Sequence, residues 1–238
     1  MQIDILAETP HFVAVNKPSG MLSIPDREKA EPSLKQWLDQ RFGKVFTVHR
    51  LDRDTSGVII FAKDAPMHQY LSGLFEGREV KKYYLGIIHG EPNAPNGDLD
   101  GPILENPARR GSMMVHAKGK PSLTTYTVLE SFGLYSLVQF QIHTGRTHQI
   151  RVHSADMGHP VAVDPLYGAG ESVLLSSFKR NFKLSKNVEE ERAILGRLAL
   201  HAWKLSLTDP DGQAWEIEAP LPKDMSALLQ QLRKWRKP

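Results

Sequence analysis

The stretch HRLDRDTSG (residues 49–57) concentrates titratable side chains just before an apolar, β-rich segment. Asp52 lies between Arg50 and Arg53, and nearby cations favour the ionised form of a carboxyl group. An ionised carboxylate can act as a nucleophile or as a general base. Asp, Ser and Gly before a strand are also ordinary turn formers. The stretch alone therefore predicts either a solvated turn or a reactive carboxylate.

A second chemically suggestive stretch, HTGRTHQIRVHSADMGHP (residues 143–160), is rich in histidine. His148, His153 and His159 are spaced by five and six residues. Two metal ligands on one helix face are instead about three or four residues apart. Because the chain has no cysteine and this stretch has no acidic triad, we expect no metal site here.

The same stretch predicts a short helix over 148–157, with Thr147 as its N-cap and Gly158 as its stop. Arg151 would then lie in the first turns of a rigid element. It is either a surface arginine or one member of an ion pair that keeps a carboxylate charged.

Positive charge is concentrated in two places, although the formal net charge is only +3. FKRNFKLSK (178–186) and RKWRK (233–237) place aromatic residues among basic ones. Such stretches suit phosphate backbones and stacked bases, but they also occur as solvated basic faces. With a sequence pI near 9.0, nucleic-acid binding and a plain solvated surface both stay open.

Composition describes a globular chain of 238 residues, 40% hydrophobic, with a mean hydropathy of −0.36. The absence of cysteine excludes a disulfide framework and permits a reducing compartment. Asp4 and Glu8 interrupt the N-terminus where a signal peptide would be apolar, and no later stretch is long enough for a membrane span. We therefore expect a cytoplasmic protein without a membrane partner.

Branched and aromatic segments bounded by turn formers predict a mostly β chain. The predicted strands are 12–17, 57–63, 82–90, 122–130, 135–143, 200–207 and 213–219. Apolar stripes at helical spacing predict helices at 33–42, capped by Ser33, at 66–77 and at 223–236. Alternation within 135–142 favours an antiparallel or mixed sheet. Residues 91–111 are rich in Pro and Gly and predict a long surface loop, and the whole chain predicts one domain.

Seven blocks in this order resemble the RluA family of RNA pseudouridine synthases. They are VNKPSGMLSIP (15–25), HRLDRDTSG (49–57), KKYYLGIIHGEP (81–92), GKPSLTTYTVLE (119–130), TGRTHQIRVH (144–153), GHPVAVDPLYG (158–168) and LALHA (198–202). The resemblance covers about residues 5 to 220. It implies an α+β fold, in which a mixed, mostly antiparallel sheet is flanked by helices and loops around a central RNA-binding cleft.

The resemblance also implies roles for individual residues. Asp52 matches the catalytic aspartate, and Arg151 matches the arginine that pairs with it. Tyr84 matches the tyrosine that packs against the target uracil and is a candidate base, although a shift of one residue would exchange it with Tyr83. Arg50 matches a side chain that enters the helical stack after the base has flipped out. Leu200 matches an apolar side chain that lines the pocket.

Pseudouridine formation breaks the bond from uracil N1 to the ribose and joins C5 to the same carbon. No net redox or hydrolysis occurs, so the resemblance implies no cofactor. The partner would be ribosomal or transfer RNA, and we expect a monomer with no obligate protein partner. Expected RNA contacts are Arg146, His148, Lys179, Arg180, Lys183 and Lys186. The last four lie in a connection, 171–196, that is longer than in relatives.

The chain departs from the family pattern in two respects. The usual Gly-Asp of the block around residue 160 reads Val163-Asp164, which makes the local backbone geometry uncertain. The chain also begins almost at the first core strand, so we expect no N-terminal S4-like RNA-binding domain. Two other functions remain open: a non-catalytic RNA-binding protein, and a glycoside hydrolase that uses Asp54 as its second carboxylate.

Overall fold

The computed structural model describes residues 3–26, 31–184 and 190–236. The strands are β1 (Asp4–Glu8), β2 (Phe12–Lys17), β3 (Phe46–Thr47), β4 (Ser56–Ala62), β5 (Lys81–His89), β6 (Asn96–Leu99), β7 (Ile103–Glu105), β8 (Met113–Val115), β9 (Thr124–Ser131), β10 (Tyr135–Ile142), β11 (Leu200–Thr208) and β12 (Ala214–Glu218). The helices are α1 (Leu34–Phe42), α2 (Ala65–Glu76), α3 (Gln149–Asp156) and α4 (Lys223–Trp235).

The chain divides into two compact units. The first unit consists of Met1–Tyr84 and His201–Pro220, and the second of Leu85–Leu200 and Leu221–Pro238. The chain passes from one to the other inside β5, at the start of β11 and before α4. The single domain over 1–238 stays a prediction.

In the first unit, β2 pairs antiparallel with both β1 and β4, and β12 pairs antiparallel with β11. β11 runs parallel to β4, with Ala202 opposite Gly57. Gly57 has a φ of 115°, and a Cβ atom there would overlap the carbonyl oxygen of Ala202. Only glycine allows this close strand approach, which sets where β4 begins after the loop that carries Asp52.

The core of the first unit lies on β2 and β4. Every residue of β4 is buried, which is typical of a strand covered on both faces. α2 packs against β4, and α1 begins at Ser33 with reciprocal hydrogen bonds between Ser33 and Gln36. The predicted Ser33 cap is confirmed.

In the second unit, β5, β10, β9 and β6 are neighbours in that order, and β7 pairs with β8. Val138 and Phe140 of β10 are buried, whereas Gln139 between them is half-buried, so the predicted alternation is confirmed. The apolar stripe of α4 is also buried, through Met225, Leu228, Leu229 and Leu232. The mixed, mostly antiparallel sheet with helices that the sequence predicted is therefore present.

Two local predictions were wrong. The stretch 91–111 is not a plain loop, because it contains β6 and β7. β6 forms by pairing with the distant strand β9, a contact for which a Pro- and Gly-rich segment carries no local signal. α3 begins after His148, not after Thr147. The reason is that the side-chain oxygen of Gln149 accepts hydrogen bonds from Thr144 and from the backbone of Arg146, which shapes the preceding turn.

Among the residues that the structure describes, no helix is long and apolar enough to span a membrane.

Candidate active site

Asp52 lies in the loop between β3 and β4, and a buried lysine holds this loop in place. Lys17 ends β2 and is fully buried. Its ammonium donates hydrogen bonds to the carbonyl oxygens of Pro18 at 3.0 Å, Met21 at 2.8 Å and Arg53 at 2.8 Å. An ammonium group has three donors and no acceptor, so three carbonyls satisfy it. Lys17 thereby joins the loop after β2 to the residue next to Asp52.

Two serines connect the same loops. The hydroxyl of Ser23 accepts from the backbone N–H of Leu51 at 3.0 Å and donates to the carbonyl of Leu51 at 2.8 Å. The hydroxyl of Ser19 donates to the carbonyl of Asp54 at 2.7 Å. The backbone is therefore fixed on both sides of Asp52, whose side chain is half-buried.

Tyr84 belongs to the same unit as Asp52 and is close enough for the two side chains to interact electrostatically. The ring is buried, and burial raises the pKa of the Tyr84 phenol above its ordinary value of 10.0. The negative charge of Asp52 raises this pKa further. Tyr84 is consequently a neutral phenol at physiological pH. The neighbouring Tyr83 is more exposed, as alternation along β5 requires.

His49 starts the loop and is a structural residue. Its Nε2 atom accepts a hydrogen bond from the backbone N–H of Ile60 at 3.1 Å, and its ring stacks on Phe75 with centroids 4.5 Å apart. Desolvation, together with the charge of Lys82, lowers the pKa of His49 from 6.5 to about 3. The ring is therefore neutral and anchors the loop, whereas Arg50 next to it is exposed.

A buried Ser–His pair marks the other end of the loop. The Nε2 atom of His201 lies 3.2 Å from the carbonyl oxygen of Ala219, and a carbonyl can only accept. In the neutral ring Nδ1 is then the acceptor, and Ser56 donates to it at 2.9 Å. Both side chains are buried, so the LALHA block contributes a structural contact at the first residue of β4.

In the second unit, Arg151 forms a buried ion pair. Its Nε and Nη2 atoms donate to the two carboxylate oxygens of Asp164, at 2.7 and 2.8 Å. Both side chains are almost completely buried. One carboxylate oxygen of Asp164 also accepts from the backbone N–H groups of Leu166 and Tyr167. Arg151 is thus not a surface residue. Its predicted pairing with Asp52, which belongs to the other unit, stays a prediction.

Tyr167 supports the arginine from a second direction. The guanidinium carbon of Arg151 lies 5.1 Å from the centroid of the Tyr167 ring. The Tyr167 hydroxyl accepts from the backbone N–H of Met113 at 2.7 Å and lies 2.8 Å from Nδ1 of His148. The Arg151 side chain is therefore held by a planar two-bond contact and an aromatic face.

The departure from the family pattern at Val163 has a clear backbone consequence. Val163 has a φ of 58°, in the left-handed region that a β-branched residue rarely adopts. Its neighbours hold it there, because Ala162 donates to Ile87 at 2.8 Å and Asp164 accepts from Gly168 at 3.0 Å through their backbones. The conformation that glycine would favour is thus kept, with valine under strain of about 1 to 3 kcal/mol.

The remaining predicted residues lie in varied surroundings. Arg146 donates to the carbonyl of Pro121 at 3.1 and 3.2 Å, and Leu200 is buried at the start of β11. Arg180 and Lys183 are exposed and Lys179 is half-buried. Lys186 lies outside the residues that the structure describes.

Two histidines of the second unit, His153 and His159, have separate partners. The two ring nitrogens of His153 meet the Thr124 hydroxyl and the carbonyl of Gly101, and Nδ1 of His159 meets the carbonyl of His89. Within the described ranges, no group of three His, Cys, Asp or Glu side chains could hold a metal ion.

Sequence reasoning did not assign roles to Lys17, Asp164 or Tyr167. Lys17 carried a signal, since a lysine at the end of the apolar strand FVAVNK must either leave the core or find partners inside it. Asp164 and Tyr167 lie in the block GHPVAVDPLYG, but only the folded chain shows that they contact Arg151.

Comparisons with known proteins show the family to which the chain belongs. Residues 11–156 match the family model described as RNA pseudouridylate synthase. The ribosomal large subunit pseudouridine synthase D of Nitrosomonas europaea is 37% identical over 97% of this chain, and that of Escherichia coli K12 is 33% identical over 97%. This chain spans 65% and 71% of the length of those two proteins.

Among solved structures, human RNA pseudouridylate synthase domain containing 4 is similar, with a TM-score of 0.72 and 26% identity, covering 96% of this chain and 92% of that one. Human RNA pseudouridylate synthase domain containing 1 has a TM-score of 0.71, also with 26% identity, covering 100% of this chain and 97% of that one. The chain belongs to the RluA family of RNA pseudouridine synthases.

Replacement of Lys17 by methionine should loosen the loop that carries Asp52. The change leaves three carbonyl oxygens without the ammonium donor, so we expect the free energy of unfolding to fall by about 2 to 4 kcal/mol. Urea denaturation measures this loss. The control is Lys81→Met, at an exposed position of β5, which should change stability by less than about 0.5 kcal/mol. Equal effects of the two changes would contradict the anchoring role of Lys17.

Replacement of Asp164 by asparagine should remove the carboxylate charge from its buried ion pair with Arg151. We expect a loss of about 3 kcal/mol in unfolding free energy, measured by thermal or urea denaturation. Asp224→Asn is the matched control, because Asp224 forms the same two-bond contact with Arg197 in a more exposed place. Its loss should stay below about 1 kcal/mol. A smaller loss for Asp164→Asn than for the control would contradict this assignment.

Proposed function

We propose that this chain converts a specific uridine to pseudouridine in structured RNA, either ribosomal large-subunit RNA or transfer RNA. One observation carries the proposal: Asp52 lies on a loop held by buried Lys17, and its charge acts on the buried Tyr84 phenol. Membership of the RluA family supports the reaction, and the names of the bacterial relatives support ribosomal RNA as the substrate class.

The proposed reaction is an isomerisation, so its atoms balance without a co-substrate. The bond from N1 to the ribose C1′ breaks, and the uracil turns. A bond then forms between C5 and C1′, C5 loses a proton and N1 gains one. Asp52 would act by covalent attack or by assisting elimination, and both routes require its ionised carboxylate. The target base must first leave the RNA stack, which costs a few kcal/mol.

In this proposal Tyr84 provides a ring face for the uracil and a hydroxyl group that donates a hydrogen bond. Its raised pKa means that the free protein holds a phenol and not a phenolate. The role of base at C5, which the family resemblance allows, therefore requires that the pKa of Tyr84 fall once RNA is bound.

The other predicted roles belong to the same proposal. Arg151 would keep Asp52 ionised, Arg50 would fill the space left by the flipped base, and Leu200 would line the pocket. Arg146 and His148 would contact RNA. We also propose that the protein acts without a cofactor, in the cytoplasm and as a monomer.

The deciding experiment maps pseudouridines in ribosomal and transfer RNA from cells with and without this gene. One or more sites should disappear and return when the wild-type gene is restored. Asp52→Asn should fail to restore them, because the amide lacks the negative charge. Asp54→Asn is the control, since Asp54 is exposed next to the same loop, and it should restore the sites.

Three results would contradict the proposal. If no site disappears, or if Asp52→Asn restores every site, Asp52 does not catalyse this reaction in cells. Release of free uracil from RNA by the purified protein would instead indicate the glycoside hydrolase.

The pH dependence of turnover tests the state of Tyr84. Because burial and Asp52 raise the pKa of the phenol above 10.0, Tyr84 stays almost fully protonated as the pH rises from about 7 to about 9. The single-turnover rate should be flat over that range. A rate that increases about tenfold per pH unit would show a phenolate acting as the base. Tyr84→Phe serves as the control and should remove any such slope.

A further inference from the structure

The two basic stretches of the sequence, which are about 50 residues apart, meet in the second unit. The guanidinium of Arg236, after the last turn of α4, donates from Nε to the carbonyl of Phe178 at 3.2 Å. The ammonium of Lys179 lies 4.5 Å from the centroid of the Trp235 ring. Together they form one surface, here called the basic face: Lys179, Arg180, Phe182, Lys183, Lys234, Trp235 and Arg236.

Aromatic rings position the cations of the basic face. Lys179 lies over Trp235 and also 5.9 Å from the ring of Phe182, and Lys234 lies 5.1 Å from the Trp235 centroid. Cation–π contacts restrict flexible lysine side chains without neutralising their charge. Trp235 is 39% exposed, which is unusual for so large an apolar side chain. The ring therefore serves the surface and not the core.

Among the residues that the structure describes, the basic face has an excess of positive charge. Within the described residues, no ion pair joins its lysines and arginines to a carboxylate. The adjacent Arg233 differs, because Glu130 accepts two hydrogen bonds from it. Glu191, on the connection that follows, accepts from the backbone of Ser176. The helix dipole explains basic residues in the last turn of α4 but not those of 178–184.

The helix beneath the basic face is firmly attached to the second unit. Its apolar stripe is buried, and its first turn is held by the two hydrogen bonds from Arg197 to Asp224. Arg233 attaches the last turn to Glu130 of β9. The cations thus start from restrained positions, which reduces the entropy lost when they bind a polyanion.

We propose that the basic face binds the phosphodiester backbone of RNA at a place separate from the reacting uridine. This inference rests on the proposed function, because it names how the same RNA substrate is held. Several cations beside the exposed ring of Trp235 and the half-buried ring of Phe182 suit phosphates flanked by bases. The contact carries no base-specific group, so it would add affinity and not choose the uridine.

The test is charge reversal at Lys179, Lys183 and Lys234, each to Glu, in the full chain. The control reverses Arg41, Lys44 and Lys223, which changes the net charge equally. Arg41 and Lys44 also contact aromatic rings, and Lys223 lies at the opposite end of α4. The probe is an in vitro transcript of large-subunit ribosomal RNA. Its dissociation constant is measured over a series of salt concentrations, with pseudouridine formation measured in parallel.

We expect the triple reversal to weaken RNA binding tenfold or more and to lower the slope of log affinity against log salt by about 2 to 3. The rate at saturating RNA should not change, so the effect should appear in KM and not in kcat. The control should keep the wild-type affinity and slope. If wild-type protein forms pseudouridine but the triple reversal keeps the affinity and slope, the proposal is overturned. Failure of wild-type protein to form pseudouridine would instead overturn the proposed function.

Two further results distinguish RNA binding by the basic face from damaged packing and from membrane binding. Trp235→Leu should weaken RNA binding, whereas Trp235→Phe should keep most of it, because phenylalanine retains a ring for the lysines. Loss in both would indicate damaged packing and would contradict the positioning role. Binding to phosphatidylglycerol vesicles that the triple reversal removes, with RNA binding intact, would show a membrane-facing surface and overturn the RNA assignment.

Discussion

The ammonium of Lys17 is the contact on which the candidate catalytic carboxylate depends. It ends a buried strand and donates hydrogen bonds to three carbonyl groups. One of them belongs to Arg53, the residue after Asp52. A buried charge is tolerated only when it is fully hydrogen-bonded, so the two loops must stay together for the strand to remain buried. The same hydrogen bonds of Lys17 therefore stabilise the core and fix the position of Asp52.

The buried guanidinium of Arg151 is held by a comparable arrangement in the second unit. Asp164 accepts two hydrogen bonds from it and two from backbone groups, and Tyr167 covers its face. Asp164 follows Val163, whose left-handed backbone is strained. Backbone strain of this kind persists where surrounding contacts determine the conformation. Here those contacts place the carboxylate of Asp164 beside Arg151.

In the first unit, a neutral imidazole and a neutral phenol lie close to charged groups. His49 is neutral because desolvation lowers its pKa to about 3, and Tyr84 is neutral because burial and Asp52 raise its pKa. Each of these two groups keeps one protonation state at physiological pH. The chemistry proposed for Asp52 thus occurs beside groups that do not exchange protons in the resting protein.

The local sequence pattern determined many of the helices and strands and pointed to the candidate catalytic residues. Strand and helix positions such as β2, α1 and α4 followed from periodicity and caps, and the order of seven blocks indicated Asp52, Tyr84 and Arg151. Tertiary structure alone decided the contacts between distant residues: the pairing of β6 with β9, the hydrogen bond of Lys17 to Arg53, the ion pair of Arg151 with Asp164, and the contact of Lys179 with Trp235. Each joins residues that are neither helix neighbours nor adjacent in one strand. No local spacing encodes such contacts, because burial and long-range packing select them.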